Sequence, residues 1–320
     1  MSKIKIKQNI LAFFFFVLAV VFSGVDFLYL QSPLLFLFGA PFCAILSILF
    51  TNNKFYYLTP VFCAASCLLL GFELPFCIAA FLYLAISIDV TSIMVVKNYS
   101  HKMTILTVTA LLSTFLLGIL AYLYAQSGTS NMFTLPEFIS SGIDQIFTAA
   151  KQIAGEIYQD QASREQFLEM LPEYAIAVKT VFPSLLVGSG MLVAFITFLF
   201  ANTVFNRLNR GISSAKNRFW INYKISKTGA CVFAGAALLS LFASDDLFQA
   251  VCVNITSIFM FCFFISGVAF LCRICKFSKV VGRPFVSYII IAILSFISMQ
   301  ILPLALFGVV DSVFIKRIQK

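Results

Sequence analysis

Four polar residues inside otherwise apolar stretches are where this chain could do chemistry: Asp89, Asn202, Asn254 and Gln300. Asp89 carries the most information. It stands about two helical turns before Lys97. An acid buried in hydrocarbon costs on the order of several kcal/mol unless it faces a bundle interior, water or a cation. Two settings would satisfy it: a solute pocket among helices, or the cytoplasmic headgroup layer, with Ser92, Thr91 or a loop lysine as partner. The three amides can donate and accept at once. That suits them either to contact a solute or to bond one helix to another across lipid.

Other chemistries lack their residues. The chain has no carboxylate pair, no Gly-x-Ser-x-Gly, no phosphate-binding glycine loop and no histidine relay, and its single histidine is His101. No catalytic residue and no cofactor are therefore assigned, and the chain is not read as an enzyme. The nine cysteines lie in or beside apolar segments, as small polarizable residues do in helix bundles. Cys272 and Cys275 form a Cys-x-x-Cys, and Cys63 and Cys67 are one helical turn apart. A structural zinc site needs further ligands, so no metal is expected.

The elements that must position these groups are membrane helices. Of 320 residues, 61% are hydrophobic and 11% charged, and the mean hydropathy is +0.99. No soluble core of this size absorbs so much apolar surface. Backbone amides in lipid must pair within each segment, and the long apolar runs lack barrel alternation, so the fold class is all-α, a polytopic helical membrane bundle. The apolar runs predict crossings near 10–30, 33–50, 55–72, 75–96, 103–124, 174–205, 228–243, 247–271 and 284–310, giving eight or nine spans. Residues 1–125 form an N-terminal half of about five spans, and 174–320 a C-terminal half of about four.

Charge orients them. Alternating from a cytoplasmic N-terminus puts Lys54, Lys97, Lys102, the cluster Arg207–Lys227 and the cluster Arg273–Arg283 inside, as the positive-inside rule requires. Asp26, Glu73, Asp245, Asp246 and the acids of Glu137–Glu173 fall outside. The net charge of +9 then reflects topology and anionic lipid, and implies no nucleic-acid partner. One end disagrees: a single crossing over 284–310 leaves Lys316, Arg317 and Lys320 outside. Either a break at Gln300 and Pro303 turns a short arm, 304–315, back inward, or one segment does not span.

Residues 126–173 are the one large extracytoplasmic segment. Phe138, Ile139, Ile143, Ile146, Phe147, Ala150, Ile153, Ala154 and Ile157 recur at helical spacing, predicting an amphipathic helix after Pro136. A second short helix is predicted near Ser163–Leu171, where Ser163 and Gln166 form a capping box. These helices rest on the membrane surface or form a lid.

The order of local motifs resembles the YybS-like family of predicted bacterial membrane proteins, whose function is unassigned. Ser32-Pro33-Leu34-Leu35, Pro183-Ser184-Leu185-Leu186, Arg218-Phe219-Trp220, Asn254 and Ser266-Gly267-Val268-Ala269 carry it in order. Gly308-Val309-Val310-Asp311-Ser312-Val313-Phe314 followed by Lys316-Arg317 is the nearest match. The third and fourth helices depart from it in being glycine-poor. The resemblance implies a protein of the bacterial cytoplasmic membrane, distantly similar to substrate-binding S components of energy-coupling-factor transporters. Such components bind a solute from outside and lack their own ATPase. They couple to an ATPase partner subunit through packed helices, a role for which Ala40 and Ala44 offer a small-residue pair. The leading expectation is thus a solute-binding or transport-related subunit. The alternative is a structural or regulatory scaffold that binds proteins through its acidic outer helices and basic cytoplasmic loop.

Overall fold

The computed structural model describes residues 3–25, 35–51, 53–127, 135–157, 161–208, 223–274 and 301–314, and all its regular structure there is helical. Helix α1 is Lys3–Val25. A π-helical turn, Leu35–Gly39, leads into α2, Ala40–Thr51. A 3-10 turn, Lys54–Leu58, whose first amides Asn53 caps through the Phe55 N–H, leads into α3, Thr59–Leu69. The next helix runs as α4, Leu74–Leu84, a π-helical stretch, Ala85–Val90, and α5, Thr91–Val96. Pro60 and Pro75 stand in the first turns of their helices, where a missing N–H costs nothing. There follow α6, His101–Gln126; α7, Leu135–Ile157; α8, Gln161–Leu208; α9, Lys227–Phe242; α10, Asp246–Ile274; and α11, Ile301–Phe314.

Four stretches are long and apolar enough to cross a membrane by length and composition: Leu74–Val96, His101–Gln126, Arg164–Phe205 and Asp246–Ile274. Five further apolar helices, of 10–17 residues, include Gln8–Gly24, Leu35–Thr51 and Lys54–Leu69. Seventeen residues rise about 26 Å, short of the ~30 Å hydrocarbon core. The short helix predicted near Ser163–Leu171 does not stand alone. It is the start of α8, whose 48 residues rise about 72 Å through Pro172 and Pro183.

The chain divides into two compact units, Met1–Leu120 with Ser189–Asn217, and Ala121–Gly188 with Arg218–Lys320. In the first, α1 packs on α2 and α3. Ala12, Ala19, Ala40 and Ala44 are fully buried, and the Phe16 ring meets Phe62 edge-on at 5.3 Å. Ala40 and Ala44 therefore lie inside the chain and present no face to a coupling subunit. The turn-spaced Cys63 and Cys67 bond α3 to α1, their thiols donating to the Ala19 carbonyl at 3.7 Å and the Ser23 carbonyl at 3.5 Å.

In the second unit, α11 packs along α10 where Gly267 and Gly308 let the backbones touch. A Cβ on Gly267 would overlap the Leu304 carbonyl, and one on Gly308 would overlap the Phe263 carbonyl. Farther along, Phe270 meets Phe307, and Arg273 Nη2 bonds Asp311 Oδ2 at 2.6 Å. Pro303 falls in the first turn of α11, where its ring is tolerated.

Candidate functional site

Asp89 lies in the π-helical stretch Ala85–Val90 within the first unit. Ile86, Ile88, Val90, Thr91 and Ile93 put five β-branched side chains into eight residues, crowding that a wider turn relieves. Such turns recur at functional sites. Around Asp89 the hydroxyls of Ser87, Thr91 and Ser92 belong to residues 0% exposed. None of these hydroxyls has a hydrogen-bond partner among the described residues, and neither has Asp89 Oδ1. No ion pair to Asp89 forms there either.

Several buried hydroxyls elsewhere solve the same problem locally. Buried Ser47, Ser184 and Thr197 donate to carbonyls three or four residues back, at 2.7 Å in each case, the usual refuge of a hydroxyl in a helix. At 87–92 that bond is unmade, as it is at Thr109, Ser113 and Ser266. The local partners that sequence offers Asp89, Thr91 and Ser92, do not bond it. Tyr83, one turn earlier, donates to the Leu37 carbonyl at 2.6 Å and stacks on Phe36 at 5.6 Å, tying this stretch to the other π-helical turn. Its oxygen lies near the Ser87 side chain. Asp89 Oδ1 and the three hydroxyls are four unpartnered oxygens within about two turns of one helix. Buried polar atoms of this kind normally hold a partner, an ion or water.

The other candidates are differently placed. Asn202 is 5% exposed on α8 and belongs to the same unit as Asp89. Asn254 belongs to the second unit, and its amide joins α10 to α8. Nδ2 donates to the Thr180 and Ala250 carbonyls, each at 2.8 Å, while Oδ1 accepts the Ser184 N–H at 2.9 Å. Thr180 O and Ser184 N–H are the pair that a regular turn closes on itself, and Pro183 sits between them. One side chain thus holds both ends of a turn disturbed by proline, and little of its bonding capacity is left for a solute. Gln300 lies outside the described residues, as do Cys275 and the capping-box Ser163 side chain.

Sequence reading missed three features. Ser87 shares a six-residue window with Asp89, Thr91 and Ser92, an unusual density of polar groups in an apolar run that was visible in advance. Thr109 and Ser113, one turn apart on α6, also have unpartnered hydroxyls, with the Ser113 hydroxyl 3.0 Å from where a Cβ on Gly190 would stand. Arg273 and Asp311 form an ion pair whose acid side chain is 3% exposed, although sequence marks them only as a loop cation and a motif residue. Among the described residues no group of His, Cys, Asp and Glu could hold a metal ion.

A family model described as a predicted membrane protein, DUF2232, matches residues 10–312. No curated protein and no solved structure matches the chain.

Proposed function

The chain belongs to the DUF2232 family of predicted membrane proteins, and from that premise we propose that it binds a solute, or serves its transport, at the Asp89 patch. In this reading it lies in the bacterial cytoplasmic membrane with its N-terminus inside. The five shorter apolar helices complete eight or nine crossings, and any ATP hydrolysis belongs to a partner subunit. One observation carries the reading: Asp89 Oδ1 is buried without a partner, and so are the Ser87, Thr91 and Ser92 hydroxyls in the residues around it. A scaffold protein has no use for four unsatisfied polar atoms, each costing about 1–3 kcal/mol.

The test is mass spectrometry of small molecules retained by the purified full chain, wild type against Asp89→Asn. A molecule retained by the first and lost from the second supports the reading. A scaffold has its own support in the apolar flank of α7, where Ile146 is 68% and Ile153 48% exposed. Equal retention by both forms, with a stable protein complex that includes no ATPase, favours that alternative.

A further inference from the structure

We propose that α7 lies along one edge of the bilayer and that the apolar flank it exposes is covered by the lipid of the protein's own membrane. Two contacts fix its level. At its start the Phe138 ring meets Tyr124 edge-on, ring centroids 5.6 Å apart, and Tyr124 stands near the end of α6, a helix long and apolar enough to span. From Met103 to Tyr124 this helix carries no Asp, Glu, Lys or Arg. It rises about 32 Å over that length, so Tyr124 sits at the far edge of a ~30 Å hydrocarbon core. Tyrosine favours that layer, and Tyr122 is there as well, its hydroxyl accepting a bond from the Gln126 amide at 3.0 Å.

Six residues after Phe138, Asp144 makes the second contact, an ion pair with Lys179 at 2.7 Å. Lys179 is the last charge before residues 180–206 of α8, which carry none and rise about 40 Å. The hydrocarbon core fits inside that stretch with about 10 Å to spare. The Lys179 ammonium therefore belongs to the headgroup layer, where lysines at span ends reach water. Phe138 and Asp144 are only about 9 Å apart along α7, so Tyr124 and Lys179 mark the same edge of the membrane, and α7 is held there.

The faces of α7 then sort by angle. Ile143 and Ala154 are buried, at 5% and 1% exposure. Asp144 and Lys151 share one flank, while Ile146 and Ile153, 68% and 48% exposed, share another about 160° around the helix. Thr148 and Gln152 are exposed on the side away from Ile143. An exposed isoleucine pair at the hydrocarbon edge is matched by acyl chain, and an amphipathic helix settles about 5–10 Å into the headgroup–acyl boundary. Charge decides which lipid is enough. The α7 sequence holds Glu137, Asp144 and Glu156 against Lys151, so anionic headgroups do not draw it in. Apolar burial does, and neutral phosphatidylcholine suffices.

Trp220 is the only tryptophan, so Trp220→Phe gives a silent background for fluorescence. In it, Ile146→Trp, Ile153→Trp, Thr148→Trp and Gln152→Trp each place one emitter on the full chain in phosphatidylcholine nanodiscs. Lipid brominated near the headgroup end of its acyl chains quenches by contact, and iodide quenches from water. Ile146→Trp and Ile153→Trp are expected to lose emission to the brominated lipid and to keep it in iodide. Thr148→Trp and Gln152→Trp should do the reverse. Should Trp220→Phe fail to fold, photoactivatable phosphatidylcholine on the wild type carries the test, its label expected within residues 146–153. Iodide quenching alike at all four positions, or α7 free of photolabel, overturns the proposal by leaving the helix clear of the bilayer. If Ile146→Trp and Ile153→Trp are shielded from both quenchers, a protein covers that flank and the proposal is equally overturned. None of these readouts involves Asp89, so the solute reading stands or falls separately.

Discussion

Replacing Asn254 by leucine keeps the side-chain volume and removes the amide that bridges α10 to α8. Two bonds between the helices are lost, to Thr180 O at 2.8 Å and from Ser184 N–H at 2.9 Å, together with the bond to Ala250 O on its own helix. Interhelical hydrogen bonds in membranes average about 0.6 kcal/mol and reach about 1.7. Two of them, with a backbone N–H left unpaired beside Pro183, amount to about 2 kcal/mol. The reasoning makes a sharper demand on the double variant. In a Pro183→Ala background the turn can close on itself, the Ser184 N–H bonding Thr180 O, and Asn254→Leu should then cost less than about 1 kcal/mol. The coupling of about 1 kcal/mol exceeds the ~0.5 kcal/mol scatter of independent sites. Reversible unfolding in mixed micelles, followed by helicity, measures all four proteins. Additive effects, or a single Asn254→Leu cost below about 0.5 kcal/mol, would refute the view that this amide repairs the proline-disturbed turn.

Other expectations concern α10 and α11. Gly267→Ala puts a methyl into the Leu304 carbonyl, so it should lower stability by at least about 3 kcal/mol in the same unfolding assay, whereas Gly118→Ala, with open space around it, should not. Arg273→Ala strands a buried carboxylate and should cost about 3 kcal/mol. Asp311→Asn should cost less, because the Arg273 side chain is 26% exposed and reaches solvent; equal unfolding costs would show that burial of the acid does not dominate.

Much of the helical plan was legible because lipid enforces it. Apolar runs such as Met103–Tyr124 can do little except form helices, and α6, His101–Gln126, lies where that run predicts it. Helix ends were harder. Pro172 reads as a break between two helices, yet α8 passes through it. Pro183 does the same, and the residue that supports the turn, Asn254, is 70 positions away in sequence from the Ser184 N–H it accepts. The packing of the last helix was not legible from charge, because it depends on the pairing of Gly267 with Gly308 and of Arg273 with Asp311. At the candidate site, Asp89 stands out by chemistry, since one acid in an apolar run is visible to any reader. Its surroundings were not visible. Whether Thr91 and Ser92 bond Asp89, their own helix or nothing depends on local geometry that no residue type announces. Asn254 and Asp89 look alike as polar residues in apolar spans, and only hydrogen-bond geometry separates an amide whose groups are engaged from a carboxylate oxygen that is not.

The claim on which the functional reading depends is that Asp89 is a liganding carboxylate. Infrared difference spectroscopy reads that group directly, by exchanging the full chain in nanodiscs between the small molecules it retains and ligand-free buffer, and comparing wild type with Asp89→Asn. A carboxylate band that shifts on exchange in the wild type and is missing from the variant is expected. Identical difference spectra from the two proteins would contradict it.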